Sequence, residues 1–252
     1  MSEQTKQNLT AVVTGAAGGM GRAIAKRLSR NGYAIAGLDI DRVGLDDIEQ
    51  AVKAAGGSFL AVGCDLANPV AIARAFEEIE AELGGPDALV NNAGTCFMGE
   101  FPDITADELD RQMAINFTGA FHCCQEAVRR MRTRTGVKKI VNISSNGAYN
   151  FDVFDPPHYR ASKAALDTLT KDLARRYARD RISVNSIAPA MTETPLFNVL
   201  TPEVLESALA AMPHGRAMRP EEVAEWVGFL ISPAGDVASG NVIILNQGRD
   251  VR

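Results

Sequence analysis

The strongest constraint on the fold is a regular alternation between short apolar segments and longer segments with helical periodicity. The apolar segments are rich in branched side chains and have the length of strands buried on both faces. Strands that alternate with helices favour a parallel sheet with right-handed crossovers. The sequence therefore predicts an α/β fold, with a doubly wound parallel sheet of about seven strands and helices on both faces. Because no internal repeat or linker interrupts the pattern, we expect a flexible N-terminus at 1–8 and a single domain at 9–252.

The composition limits the partners of the chain. Its 252 residues, 46% of them hydrophobic, are enough to bury the core of one sizeable domain. The net charge of −5 argues against a nucleic acid or an anionic membrane surface as a partner. The N-terminus lacks an apolar signal segment and no apolar run approaches the roughly 18 residues of a membrane span, so we expect a cytoplasmic protein. The cysteines form no CxxC pair and no histidine stands at metal-ligand spacing from them, so we expect free thiols and no metal site.

A glycine-rich turn follows the first predicted strand at 9–13. It contains Gly15, Gly18, Gly19 and Gly21, and leads directly into a helical pattern. Such a turn lets the backbone approach a phosphate, and the helix N-terminus offers free amides and a positive dipole. The spacing departs from G-x-G-x-x-G, and glycine-rich loops also serve as tight turns, so this motif alone leaves both interpretations open.

Asp39 ends the second predicted strand, eighteen residues after Gly21. An acidic side chain at this place accepts hydrogen bonds from the adenosine ribose hydroxyls and repels a 2′-phosphate. The sequence therefore favours NAD over NADP, with Arg42 as the neighbouring cation that could weaken this preference. A surface acid at a strand end is the alternative interpretation.

Tyr159 and Lys163 lie four residues apart at the start of a helical pattern that runs to about Arg179. They share one helix face. The phenol of tyrosine has a reference pKa of about 10, and an ammonium beside it favours the phenolate. Such a pair could exchange a proton with a substrate hydroxyl or carbonyl, although two residues that merely share a face give the same spacing.

These motifs together resemble the short-chain dehydrogenase/reductase family over essentially the full length of the chain. The resemblance implies a Rossmann-type, NAD(P)-binding catalytic domain that moves a hydride between NAD(H) and a secondary alcohol or ketone. Tyr159 would be the general acid/base, and Lys163 would lower its pKa and hold the nicotinamide ribose. Ser145 would stabilise the reacting oxygen, and Asn116 would anchor a water for proton relay. The segments that carry the resemblance are 14–21, 65–66, 91–94, 116, 143–145, 159–163 and 185–194.

The same resemblance implies a set of cofactor contacts and a homo-oligomer. The oligomer would be a tetramer or a dimer, in which helices at 106–131 and 159–179 pair across a two-fold axis. The implied contacts to the cofactor are Gly15, Gly19, Met20 and Gly21 for the pyrophosphate, Asp39, Asp65, Leu66, Asn92 and Gly94 for the adenosine half, and Tyr159, Lys163, Pro189, Thr192 and Thr194 for the nicotinamide half.

The sequence departs from the family pattern at three places. The family serine lies thirteen residues ahead of the tyrosine, whereas Ser145 lies fourteen ahead and Ser144 fifteen. Counting from the strand end favours Ser145, with Ser144 as the alternative. The family Pro-Gly reads Pro189-Ala190, and we expect the added methyl to narrow the pocket. The family Asp-Gly-Gly near the C-terminus reads Asn-Gln-Gly at 246–248, in a tail that packs against neighbouring subunits in relatives.

The substrate is expected to be an uncharged secondary alcohol or ketone, apolar or aromatic. The loop at 146–154 supports this, because it carries three aromatic residues and no lysine or arginine, although an aromatic loop is equally explained by packing. A substrate lid is expected at about 194–216. The predicted pocket residues are Cys96, Phe97, Ser145, Tyr149, Phe154, Ala190 and Met191.

Two other functions are compatible with the sequence. One is a 3-oxoacyl-carrier-protein reductase, for which Arg129, Arg130 and Arg132 could receive an acidic partner, although Asp39 argues against the NADPH preference usual for that role. The other is a non-catalytic NAD-binding regulator. The complete set of four catalytic-type residues argues against a regulator, because a sensor does not need them.

Overall fold

The predicted alternation of strands and helices is confirmed in a computed structural model, which describes residues 9–151 and 155–250. Within these residues seven strands form one parallel sheet: β1 Thr10–Thr14, β2 Ala34–Asp39, β3 Phe59–Gly63, β4 Ala88–Asn91, β5 Lys138–Ile143, β6 Ile182–Pro189 and β7 Val242–Leu245. The helices are α1 Gly19–Arg30, α2 Arg42–Ala54, α3 Pro69–Leu83, α4 Ala106–Met113, α5 Ala120–Met131, α6 Pro157–Tyr177, α7 Pro202–Ala210 and α8 Pro220–Ile231.

Both faces of the sheet are covered, as the continuously apolar strands predict. Successive residues of a strand point to opposite faces, so Val13 packs with α1, α2 and α8 while Val12 packs with α3, α5 and α6. Both side chains are fully buried. The four cysteines are also buried and free. No helix of the described residues is long and apolar enough to cross a membrane.

The strand order, β3-β2-β1-β4-β5-β6-β7, reverses direction between β1 and β4. At such a reversal the loops after the two strands diverge and leave a crevice at their carboxyl ends. Here the loop after β1 is the glycine-rich turn, and Asn92 follows β4. The hydroxyl of Thr14, the last residue of β1, accepts hydrogen bonds from the backbone amides of Asn92 and Ala93 at 3.0 and 3.1 Å, which fixes the two loops relative to each other.

The helical pattern expected at 106–131 is interrupted in the structure by a π-helical turn over Ala114–Gly119. At this turn the helix lies in close contact with the loop after β3. A Cβ on Gly119 would lie 2.6 Å from the carbonyl oxygen of Leu66, so only glycine permits this approach. Asn116 lies in the π turn and is 1% exposed. π-Helical turns within α-helices are frequent at functional sites.

Candidate active site

The glycine-rich turn is closely packed against the neighbouring loop. Gly15 has φ +66°, and a Cβ on it would lie 2.8 Å from Cα of Ala93. A Cβ on Gly21 would lie 1.9 Å from the carbonyl oxygen of Gly15. No side chain caps the N-terminus of α1, and Gly18 and Gly19 line a cavity there. The turn therefore presents backbone amides to that cavity, an arrangement that suits a phosphate.

Asp39 lines the same cavity and is hydrogen-bonded directly to the glycine-rich turn. Its Oδ2 accepts a hydrogen bond from the amide of Ala17 at 3.0 Å, and its Oδ1 accepts one from the amide of Asp41 at 3.0 Å. Arg42 turns away, because it donates to the carbonyl of Ala61 at 2.9 Å and lies 3.6 Å from a carboxylate oxygen of Asp46. No lysine or arginine of the described residues lines the cavity.

The cavity, about 380 Å³, collects most of the residues that the sequence predicted as cofactor contacts. Backbone amides of the glycine-rich turn and the fixed carboxylate of Asp39 in one cavity fit a dinucleotide bound at the carboxyl ends of the strands. An adjoining cavity contains Pro189 and Thr192, and Met20 and Thr194 border both. The predicted contacts that line the first cavity are Gly15, Gly19, Met20, Gly21, Asp39, Asp65, Leu66, Asn92, Gly94 and Thr194.

Lys163 and Asn116 meet beside Gly94. A Cβ on Gly94 would lie 3.2 Å from Nζ of Lys163 and 3.4 Å from Oδ1 of Asn116. The Lys163 ammonium donates to the carbonyl of Ile143 at 2.9 Å. The Asn116 side chain accepts from the amide of Thr95 at 2.9 Å and donates to its carbonyl at 3.0 Å. These contacts hold both polar groups next to Gly94, which lines the cavity, although neither Lys163 nor Asn116 lines it.

The structure distinguishes the two candidate serines. Ser145 and Tyr159 border the same cavity, the Ser145 hydroxyl acts on Tyr159 to lower its pKa, and Ser145 Oγ accepts from the amide of Gly147 at 3.0 Å. Ser144 borders the same cavity, but its Oγ lies 2.8 Å from Oδ2 of Asp167, to which it donates. The geometry therefore favours Ser145 as the partner of Tyr159.

The protonation of Tyr159 differs from the expectation for an isolated Tyr-Lys pair. Burial raises the pKa of Tyr159, the nearby carboxylate of Asp155 raises it further, and the hydrogen bond with Ser145 lowers it. The Lys163 ammonium lies 5.9 Å from the centroid of the phenol ring. Burial lowers the pKa of Lys163 to about 8, although the carboxylate of Asp167 opposes this. The phenol is therefore protonated at neutral pH, because burial and the Asp155 carboxylate both disfavour the phenolate.

Asp167 is a buried acid that the sequence analysis did not select. Its Oδ2 accepts hydrogen bonds from Ser144 and Tyr149, both at 2.8 Å, and its Oδ1 accepts one from Ser186 at 2.5 Å. It connects β6 and the loop after β5 to the helix that carries Lys163. An acid on the apolar face of α6, four residues after Lys163, was the sequence signal that could have identified it.

The adjoining cavity, about 110 Å³, is the candidate substrate pocket, because Ser145 and Tyr159 border it. Of the predicted pocket residues, Cys96, Ser145, Ala190 and Met191 line it. The segment predicted as a lid contributes Thr194, Phe197 and Leu200. The remaining lining residues are Met20, Met98, Ser144, Asn146, Gly147, Asp155, Tyr159, Pro189, Thr192 and Arg249.

Two of the aromatic residues predicted for the pocket, Phe97 and Tyr149, do not line it. The Tyr149 hydroxyl donates to Asp167, which draws the ring toward the interior. Phe97 is held outside by its amide, which donates to the side chain of Gln112 at 3.0 Å, and the guanidinium of Arg111 lies 5.2 Å from its ring centroid. Phe154 lies outside the described residues. Among the described residues, the apolar lining therefore comes from other elements than the loop at 146–151.

Asp155 and Arg249 are the two charged residues of the pocket lining within the described part of the chain, and the sequence analysis selected neither. Asp155 follows the aromatic loop and is four residues ahead of Tyr159. Burial raises the pKa of its carboxyl group, while the guanidinium groups of Arg160 and Arg249 lower it. Arg249 comes from the C-terminal end of the chain, so no local motif connects it to the pocket.

Known proteins resemble the chain over nearly its whole length. Residues 15–250 match a family model described as enoyl-(acyl carrier protein) reductase. Cis-4-hydroxycyclohexanecarboxylate dehydrogenase of Sinomonas cyclohexanicum is 37% identical over 244 residues, which cover 94% of this chain and 95% of that protein. 3β-Hydroxysteroid dehydrogenase 1 of Eggerthella lenta is 31% identical over 245 residues, covering 95% and 92%.

A solved structure shows the same architecture. A short-chain dehydrogenase from Burkholderia cenocepacia, in complex with NADP, has a TM-score of 0.91 and 30% identity, covering 97% of this chain and 99% of that chain. Both the sequence matches and the fold agree with the arrangement of the two cavities. The chain belongs to the short-chain dehydrogenase/reductase family of oxidoreductases, whose fold binds nicotinamide cofactors.

Proposed function

We propose that the protein interconverts a secondary alcohol and a ketone with NAD(H). The observation that carries this proposal is that Tyr159 and Ser145 border one cavity together, next to the cavity that suits the cofactor. When bound, the nicotinamide supplies the hydride donor or acceptor. The protein positions the reacting carbon and moves the proton.

Each polar residue of the candidate site has a distinct role in this proposal. Tyr159, protonated at neutral pH, donates its proton to the carbonyl oxygen in reduction and accepts one from the alcohol in oxidation. Ser145 hydrogen-bonds the same oxygen and stabilises the charge that develops on it. Lys163 contributes positive charge beside Gly94, and Asn116 fixes the loop that contains Gly94 and Thr95.

The preference for NAD rests on Asp39. Its carboxylate is held by two backbone amides in the cofactor cavity, where a 2′-phosphate would meet a negative charge without a compensating cation. The NADP complex of the Burkholderia relative means that the fold alone does not decide this preference.

The carbon skeleton around the reacting carbon is proposed to be apolar, with an alicyclic or aromatic ring. Met98, Met191, Phe197 and Leu200 surround that part of the pocket, and two relatives are named for ring alcohols. Methionine-rich walls adapt to rings of different shape.

The experiment that tests this function measures NADH absorbance with the purified protein, NAD or NADP, and a panel of alcohols. The panel contains an aromatic secondary alcohol, cyclohexanol, a 3β-hydroxysteroid, a sugar alcohol and a hydroxyacyl thioester. We expect reduction of NAD with at least one ring alcohol. Turnover with NADP alone, or with none of the alcohols, would contradict the proposal.

Replacing the two serines separately tests the choice between them. We expect Ser145→Ala to lower kcat by about 100-fold, because the reacting oxygen loses a hydrogen bond in the transition state. We expect Ser144→Ala to lower the free energy of unfolding by about 1 kcal/mol, because Asp167 loses a buried donor, with a much smaller change in kcat. Steady-state kinetics and thermal melting of both variants provide the measurement. The reverse order of effects on kcat would assign the role to Ser144.

The structure weakens the carrier-protein alternative. Arg129 and Arg130 form ion pairs with Glu126, and Arg130 also lies 2.9 Å from Glu80. Arg132 lies 3.0 Å from Asp180. The basic run at the end of α5 is therefore neutralised by its own neighbours and offers an acidic partner little net positive charge.

A further inference from the structure

The C-terminal segment 246–250 is fixed against the substrate loop of its own chain. The carboxylate of Asp250 accepts hydrogen bonds from Nδ2 of Asn146 at 3.0 Å and from Nδ2 of Asn150 at 2.7 Å. Nδ2 of Asn246 donates to the carbonyl of Asp250 at 3.1 Å, which closes the segment into a turn. The Gln247 side chain accepts from the amide of His214 at 2.9 Å. The tail, which packs against neighbouring subunits in relatives, therefore forms part of the pocket wall in this chain.

This turn directs Arg249 into the substrate pocket. Its backbone amide donates to the carbonyl of Asn246 at 3.0 Å, so the main chain is held on both sides of the residue. The side chain is half-buried and lines the cavity that contains Tyr159. It forms no hydrogen bond or ion pair with another residue in the described ranges 9–151 and 155–250. The pocket thus contains a guanidinium with all of its donors available.

The other charge in the pocket does not neutralise Arg249. The carboxylate of Asp155 lies against Gly147, where a Cβ would be 2.1 Å from its Oδ2. Among the positive charges near Asp155, Arg160 has the larger influence and Arg249 the smaller. Arg160 is anchored behind the pocket by its bond to the carbonyl of Asp155 at 2.8 Å. Asp155 and Arg249 form no ion pair with each other, so the guanidinium of Arg249 lines the cavity without a carboxylate partner among the described residues.

We propose that Arg249 binds a carboxylate of the substrate, so that the preferred substrate is a hydroxy acid, or the corresponding keto acid, whose acidic group lies away from the reacting carbon. A planar guanidinium matches a carboxylate through two parallel hydrogen bonds. The apolar side chains between Arg249 and Tyr159 then accommodate the carbon skeleton that separates the two groups. This inference rests on the proposed function and adds one charged substituent to the otherwise apolar substrate.

The test compares acids with their neutral analogues. The substrates are the 2-, 3- and 4-hydroxycyclohexanecarboxylates and the matching carboxamides, assayed with NAD and the full-length protein. A charge-assisted hydrogen bond predicts a kcat/KM about 10- to 150-fold higher for one carboxylate than for its carboxamide. We expect Arg249→Met to abolish this ratio through the KM of the acid, and Arg249→Lys to retain part of it. Arg74→Met, at an exposed arginine of α3, should keep the wild-type ratio.

A binding measurement keeps the inference separate from the proposed function. Cyclohexanecarboxylate has no hydroxyl to oxidise, and we expect calorimetry to detect its binding to the wild-type protein in the presence of NADH and weaker binding to Arg249→Met. If the neutral alcohols are turned over but the acids show no preference, the function stands and the inference fails. If no alcohol is turned over, the function fails, and Arg249-dependent binding of cyclohexanecarboxylate still decides the inference. Binding that is equal in both proteins would overturn it.

Discussion

The Tyr159→Phe variant is expected to lose about 100- to 10,000-fold in kcat in both directions of the reaction. The substitution removes one hydroxyl, which is the proton donor for the carbonyl and the acceptor for the alcohol, and leaves the ring in its buried site. The variant retains Ser145, but the serine hydroxyl does not take over the proton transfer that Tyr159 performs. Steady-state kinetics with the best substrate from the alcohol panel measures the effect.

Tyr177→Phe is the matched control, because it removes the same atom from the same helix. Tyr177 is half-buried at the end of α6, and the guanidinium of Arg132 lies 6.0 Å from its ring centroid, a contact that phenylalanine retains. We expect this variant to have wild-type kcat. Thermal melting and NADH fluorescence establish that Tyr159→Phe is folded and binds cofactor. Retention of more than about a tenth of the wild-type kcat would remove Tyr159 from the general acid/base role.

Because the pKa of Tyr159 is raised, the rate of the reaction that it catalyses is expected to depend on pH. Burial and the Asp155 carboxylate both disfavour the phenolate, so the proton stays on the oxygen through neutral pH. Oxidation needs the deprotonated form, and its rate is expected to rise with pH across the range from about 7 to 10. Reduction needs the protonated form, which Tyr159 keeps over that range, so reduction is not expected to show this rise. In Tyr159→Phe the residual activity should lack this rise.

The fold and the cofactor site were accessible from the sequence because their signals are local. A buried strand, a glycine turn and an acid at the next strand end lie within about thirty residues, and backbone geometry restricts each of them. Gly15 and Gly21 cannot be replaced without a clash, and Asp39 is fixed by backbone amides. The parallel sheet then requires these elements to converge.

The substrate pocket was less accessible because it is built by side-chain orientation and by distant parts of the chain. Tyr149 was predicted to line the pocket, but the buried carboxylate of Asp167 draws its hydroxyl inward. Arg249 reaches the pocket only because Asp250 binds two asparagines about a hundred residues earlier. Composition and periodicity do not encode such contacts, since each depends on a side-chain hydrogen bond between segments that become neighbours only in the folded chain.

Asp39→Asn is expected to shift the cofactor preference toward NADP, lowering the ratio of kcat/KM with NAD to that with NADP by about 10- to 100-fold. The asparagine keeps the shape of the side chain and one acceptor for the backbone amides of Ala17 and Asp41. It removes the negative charge that opposes a 2′-phosphate and one acceptor for the ribose hydroxyls. Because Asp39 is partly exposed, solvent screens the charge, and the expected shift is smaller than for a buried pair. Kinetics with both cofactors and one substrate measures the ratio.

Asp41→Asn is the matched control for this change. Asp41 lies two residues further along, caps α2 by accepting a hydrogen bond from the amide of Gly44 at 3.1 Å, and does not line the cofactor cavity. Asparagine caps a helix as well as aspartate does, so the variant removes the same charge close by without loss of structure. If the Asp39 carboxylate acts on the 2′-position of the cofactor, the ratio of kcat/KM with NAD to that with NADP changes in Asp39→Asn and stays near wild type in Asp41→Asn. Equal shifts in the two variants would mean that the general negative charge of this region sets the preference, and the assignment of Asp39 to the adenosine ribose would have to be abandoned.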